Sequence, residues 1–413
     1  MADWPGPRSR ELQAERDRYV PRGMASTLPV FAAAASGAGL TDVDGNRYID
    51  FATGISVMNL GHGHPRVLAA IREQADRLVH SGAPVIMPEV YVRLARRLCE
   101  ITPGAFPKKA LMLNSGAEAI EGALKTARKH TRRSRFVAFD GAYHGDTMAA
   151  LALMGNPAFR APFEPLPGPV SHLPYDDAAA LEAIDSTVAA VVVEPVQAEG
   201  GVRIPSAGFM RALRERCDRV GAMLVYDEVL TGLGRTGRLF AMEQFGLVPD
   251  LVVMAKALGG GLPLGAFCGS ERLIGELARD PPLGHITTFG GHPLSCAAGL
   301  AALEVIVSER LWERANALGE ELAHGMQRHA GAEIEAVRAI GALIGIEFGS
   351  AEAAQAFVRE SLVRGVIINW TLNSDRVVRL APPLNMGPAA VEFGLQMMAE
   401  ALEASRAIGK LIG

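Results

Sequence analysis

Residues 222–261 read AMLVYDEVLTGLGRTGRLFAMEQFGLVPDLVVMAKALGGG. Two apolar runs in this stretch behave alike: the first ends at Asp227 and the second at Lys256, while a third, VAAVVV, ends at Glu194 upstream. Strands buried on both faces read as unbroken apolar runs, and ligands of open parallel sheets gather outside the strands' carboxyl ends. The three ionisable residues are therefore expected to converge on one site. Lys256 is the only charged residue between Asp250 and Glu271. An ammonium in apolar surroundings must be paired or neutralised, and its pKa drops toward nucleophilic chemistry. Taken alone, Lys256 reads equally as a catalytic amine or as a lysine snorkelling from a strand end; the glycines that follow favour function, because they let backbone approach a ligand closely. Asp227 suits a protonated ring nitrogen as partner, although capping the next turn would explain it as well.

Outward from this stretch, helix-length amphipathic segments such as VLAAIREQADRLVH and EVYVRLARRLCEI alternate with short apolar runs, which predicts parallel strands joined by helical crossovers. LMLNSGAEAIEGALKTARKH places Ser115, Gly116 and Ala117 where a strand gives way to a helix, a setting suited to a phosphate. Ser115 and Glu118 also form a Ser-x-x-Glu capping box that any helix can use. Tyr143, in FDGAYHGDT, can lay an aromatic face on a flat ring or serve as a core tyrosine. Residues 38–52 read as a hairpin turning at Asp44-Gly45. Beyond about residue 310 a helix, short strands and a second helix predict a smaller α/β unit. The expected fold is α/β: a large domain with a mostly parallel central sheet over residues 61–310, a small α/β domain over 311–413, and a segment 1–60 that joins the small domain.

Composition narrows the function. Of 413 residues, 49% are hydrophobic and 21% charged, which is ordinary for a globular protein. A net charge of -4 leaves no basic excess for a phosphate backbone, so nucleic acid is not an expected partner. The four cysteines are dispersed, with no metal-ligand spacing, so no metal is expected and a reducing cytoplasmic setting fits. The first residues are charged and the apolar runs are short, so neither export nor a membrane is expected.

Together these segments resemble the class III aminotransferases, and among them the 4-aminobutyrate type. The likeness is carried by TDVDGNRYIDFATGISVMNLGHGHP, NSGAEAIEGALKTAR, the Tyr-His-Gly segment, EPVQAEGGV, YDEVLTGLGRTGR, MAKALGGGLPLGAF, HITTFGGHPLSCAA and VRLAPPL. The resemblance implies a fold-type-I homodimer with active sites shared between subunits, and pyridoxal 5′-phosphate as cofactor. Lys256 would hold the cofactor as a Schiff base, with Asp227 at its ring nitrogen. Ser115, Gly116 and Ala117 would take its phosphate, together with Thr288 from the partner subunit. Tyr143 and Val229 would flank the ring, with His144 beside it. Glu199 and Arg379 would act as a switch, the arginine binding the carboxylate of an amino acid and the glutamate closing over it otherwise. Val57 would stand on the substrate side. The partners are then an amine donor and a 2-oxo acid acceptor such as 2-oxoglutarate or pyruvate.

Three departures from the 4-aminobutyrate type bear on substrate. Asp146 stands where that type has an arginine for the far carboxylate; a carboxylate there suits a diamine, an amino sugar or another carboxylate-free amine, unless Asp146 only caps a turn. Leu230 replaces a glutamine near the cofactor's phenolic oxygen. Ala198 replaces a glycine beside Glu199, narrowing its swing. An amino-acid racemase or epimerase uses the same lysine and aspartate, but the Glu199 and Arg379 pair favours a reaction with two substrates.

Overall fold

The computed structural model describes residues 4–412 apart from residues 25 and 27. Its centre is a seven-stranded sheet: β1 Lys108–Leu113, β2 Arg135–Phe139, β3 Val170–Leu173, β4 Val188–Val193, β5 Met223–Asp227, β6 Leu251–Met254 and β7 Gly265–Ser270, in the order β1-β7-β6-β5-β4-β2-β3. The run from β6 to β3 is parallel, while β7 pairs antiparallel with both β6 and β1. A parallel neighbour needs a crossover of a dozen or more residues, and the short glycine-rich link from β6 leaves no room for one, so β7 returns antiparallel.

Every residue of β4, β5 and β6 is buried. Val191, Val193, Leu224 and Tyr226 pack into one core cluster and Val192, Val225 and Val253 into another, so both faces of the sheet are covered. That is why these strands read as continuous apolar runs rather than as alternating ones. The helix Gly116–Thr131 covers the second face through Ile120 and Leu124, and the helix Ala207–Val220 covers the first through Phe209 and Leu213.

Two smaller sheets flank this one. Strands Gly39–Asp42 and Arg47–Asp50 form the expected hairpin, and Arg47–Asp50 pairs in parallel with Val366–Ile367. The first residues are thereby tied to the last hundred. The other small sheet joins Ile334–Ile340, Leu343–Phe348, Val377–Leu380 and Asn369–Trp370. Among the described residues, no helix is long and apolar enough to cross a membrane.

Candidate active site

The pairing register fixes where the strands end. Val193 stands opposite Tyr226, and Asp227 opposite Val253, so Glu194, Asp227 and Lys256 emerge together at one edge of the sheet. They line a cavity of about 590 Å³. Ser115, Gly116, Ala117, Tyr143, His144, Asp146, Glu199, Val57 and Val229 line it too. The convergence expected from three apolar runs is therefore found. Arg379 lies behind Glu199 and is almost wholly buried. Thr288 is exposed and does not line its own chain's cavity.

Lys256 sits at φ +47°, a left-handed conformation rarely taken by a non-glycine residue. Burial lowers its pKa; Glu199 and Asp227 pull the other way and Arg379 adds to the lowering, with a net shift downward. The strained backbone at a strand end and the lowered pKa both set this lysine apart from a snorkelling one.

Asp227 is oriented by two donors. Its Oδ1 accepts the Val229 backbone N–H at 2.9 Å, and its Oδ2 lies 2.8 Å from His144 Nδ1. Burial alone would depress His144, but the bond and charge of Asp227, with the charge of Glu194, hold it above its ordinary pKa. Its Nε2 is buried without a partner. Glu194 binds two backbone N–H groups, those of Tyr143 at 3.0 Å and Ala198 at 3.2 Å. It thus ties the tyrosine loop to the segment that carries Glu199. Burial pushes Glu194 up to about 7.

At the opposite end of the cavity, Ser115 Oγ accepts from Glu118 N–H at 3.1 Å and caps the helix Gly116–Thr131, whose first N–H groups have no intrahelical acceptors. Of the expected capping box only the serine half forms, because the Glu118 side chain accepts the Asn114 backbone N–H at 2.7 Å rather than that of Ser115. A Cβ on Gly265 would lie 2.1 Å from the Ser115 carbonyl oxygen, so β7 runs against this turn only because residue 265 is glycine.

Glu199 and Arg379 form a buried ion pair. Burial raises the Glu199 pKa, but the charge of Arg379 and then of Lys256 outweighs it and leaves the carboxyl below its ordinary value. Arg379 Nη2 is buried with no partner. Asp146 accepts the Tyr143 hydroxyl at 2.7 Å, and burial and that bond keep the tyrosine protonated. Asp146 is also among the residues lining the cavity. Two features escaped the sequence reading: the double anchorage by Glu194, and a turn near residue 372 whose backbone grips Glu199. Both work through backbone N–H groups, which carry no signal in side-chain identity.

Residues 19–402 match the family described as Aminotransferase class-III. The chain is 45% identical to an acetylornithine aminotransferase of Methanopyrus kandleri, covering 92% of this chain and 96% of the relative. It is 37% identical to a 4-aminobutyrate aminotransferase of Escherichia coli, covering 96% and 99% respectively. The expected family is thus found, while the narrower likeness to the 4-aminobutyrate type gives way to greater identity with acetylornithine enzymes. The ornithine aminotransferase of Toxoplasma gondii, a structure in which PLP partly occupies the active site, superposes with a TM-score of 0.91 at 31% identity, over 97% of this chain and 96% of the other.

Proposed function

We propose that this chain, which belongs to the class III aminotransferase family, moves an amino group between a primary amine or ω-amino acid and a 2-oxo acid at Lys256. It is a pyridoxal-phosphate aminotransferase. The cofactor fits the residues present: helix N–H donors and a glycine-dependent close approach at one end, a doubly oriented carboxylate at Asp227, and an amine of lowered pKa between them. When bound, it supplies an electron sink that lets the substrate's amine-bearing carbon release a proton.

The chain's own groups divide the work. Ser115, Gly116 and Ala117 hold the phosphate through the helix start. Asp227, kept in place by His144 and the Val229 N–H, holds a proton at the ring nitrogen. Tyr143 and Val229, which both line the cavity, would exclude water from the cofactor's ring. Lys256 Nζ would hold the cofactor and, as a free amine, would move a proton to or from the substrate carbon. Arg379, buried with one side of its guanidinium unpaired, offers a two-point fork to a substrate carboxylate when Glu199 withdraws. Glu199 closes on it for a substrate that has no carboxylate beside its amine.

The observation that carries this reading is the buried Glu199–Arg379 pair beside a strand-end lysine of lowered pKa. One pair of side chains can serve both halves of a reaction with two unlike substrates. A second reading concerns the amine. Asp146 lines the cavity and accepts the neutral hydroxyl of Tyr143, so it favours a substrate whose far end is an amine or a hydroxyl over one ending in a carboxylate. We further propose a homodimer in which Thr288 reaches the partner's phosphate site, and a cytoplasmic setting, which four free cysteines support.

The test is a half-reaction. Purified holoenzyme receives single amines while the absorbance of the lysine-bound cofactor is followed toward that of its amino form. Conversion by 4-aminobutyrate or 5-aminovalerate would mean that Asp146 tolerates a far carboxylate. Conversion by diamines or amino sugars but not by those acids would support the carboxylate-free amine. A protein that shows no lysine-bound cofactor would overturn the role of Lys256.

A further inference from the structure

We infer that the turn spanning residues 371–375 is a latch on Glu199, and that Asn373 is the positioning residue that sets how readily Arg379 is released to a substrate carboxylate. This rests on the reading of Glu199 and Arg379 as a pair that opens for one substrate and closes for the other.

Glu199 is gripped three ways. One carboxylate oxygen pairs with Arg379; the other accepts the Leu372 backbone N–H at 2.9 Å; its own backbone carbonyl accepts the Asn373 N–H at 2.9 Å. The carboxylate therefore swings off Arg379 only by giving up a charge-assisted bond to the turn as well. The backbone is held too. Ala198 is fully buried against Val196, Val202 and Leu230, so the motion falls on the Glu199 side chain alone.

The turn is in turn held by Asn373. Its Nδ2 donates to the carbonyls of Gly141 and Ala142, each at 3.1 Å, in the loop that leads into Tyr143. Thr371 closes the turn on itself, its Oγ1 donating to the Ser374 carbonyl at 2.7 Å and its N–H to Val377 at 2.9 Å. Asn373 thus fixes the Leu372 amide relative to the ring-stacking loop, and with it the resting place of the switch. Loosening Asn373 weakens the closed pair. A carboxylate then competes better for Arg379, and an amine that uses the closed pair binds less well.

Asn373→Ala holoenzyme is compared with wild type in the two half-reactions. The carboxylate-bearing probe is whichever of L-glutamate and L-alanine converts wild type at the lower concentration; the probe lacking a carboxylate beside its amine is whichever of 4-aminobutyrate and 1,4-diaminobutane does so. The half-saturating concentration should fall about 3- to 10-fold for the amino acid and rise for the amine, the range expected for losing one hydrogen bond to a charged group, with maximal rates within about twofold. A merely structural residue would instead lower both maximal rates or raise both constants, and that result would overturn the latch. Asn373→Asp, similar in size but without the donor, should repeat the split and serves if the alanine variant does not fold. Arg379→Gln separates the two levels: if it weakens the amino acid at least about tenfold while neither Asn373 variant splits the constants, the switch stands and the latch falls. If Arg379→Gln leaves amino-acid binding unchanged, the switch reading itself fails.

Discussion

Asp227 owes its usefulness to its neighbours. A carboxylate free to rotate would be a poor partner for a ring nitrogen, but the Val229 N–H and His144 each hold one of its oxygens. Asp227→Asn keeps the shape and removes the charge, so the holoenzyme should retain its lysine-bound absorbance while the half-reaction slows by at least about 100-fold. Loss of cofactor with no change in rate per bound site would contradict this. Glu194 allows a test by titration. Burial holds its pKa near 7 against an ordinary value of 4.5, so across that window the native chain keeps a proton that the unfolded chain has released. The stability it contributes is present at low pH and is lost as pH rises toward 7. Glu194→Gln, which cannot ionise, should therefore gain on wild type between pH 5 and pH 7, the melting-temperature difference moving in its favour by about 2–5 °C in cofactor-free protein. A constant difference over that range would mean that Glu194 is not the group that titrates.

The elements that could be recognised from sequence were those whose burial leaves a mark on residue type. Strands β4, β5 and β6 are covered on both faces, so they appear as apolar runs that stop at an ionisable residue, and the helix Glu89–Ile101 keeps its apolar residues on one stripe. The antiparallel direction of β7 left no such mark, since GAFCGS reads the same in either direction and only the shortness of its link decides. The grip on Glu199 was hidden for another reason: Leu372 acts through its amide, and its side chain is 43% exposed. Where an element does meet the site through residue type, it meets it at Gly265. There a methyl group would sit against the Ser115 carbonyl and push β7 away from the end of the cavity proposed to take the phosphate. Gly265→Ala should cost about 1–3 kcal/mol in chemical denaturation and weaken cofactor binding in a fluorescence titration. Unchanged affinity with lowered stability would separate this contact from the site.

At the scale of the whole molecule, the proposed homodimer has a candidate surface. Val85, Ile86, Leu283, Ile286 and Phe289 are each more than half exposed. His80 packs its ring 5.0 Å from that of Phe289, which brings these two sequence segments side by side. Exposed apolar side chains on two adjoining segments are the kind of surface that a second copy would cover. Thr288 is exposed between Phe289 and Thr287, whose Oγ1 accepts from the cavity-lining Asn114 at 2.8 Å, and in the proposed homodimer it would serve the partner's site. In a symmetric dimer this surface would meet its own copy and each subunit would complete the other's phosphate site. Wild type should sediment as a dimer at micromolar concentration, and Ile86→Asp with Phe289→Asp should shift it toward monomer. If Thr288 acts across the interface, cofactor affinity should fall severalfold in the same variant and, to a smaller degree, in Thr288→Ala that remains dimeric. A monomeric wild type would remove both statements; a dimer that dissociates with its cofactor affinity intact would leave the interface standing and take Thr288 out of the site.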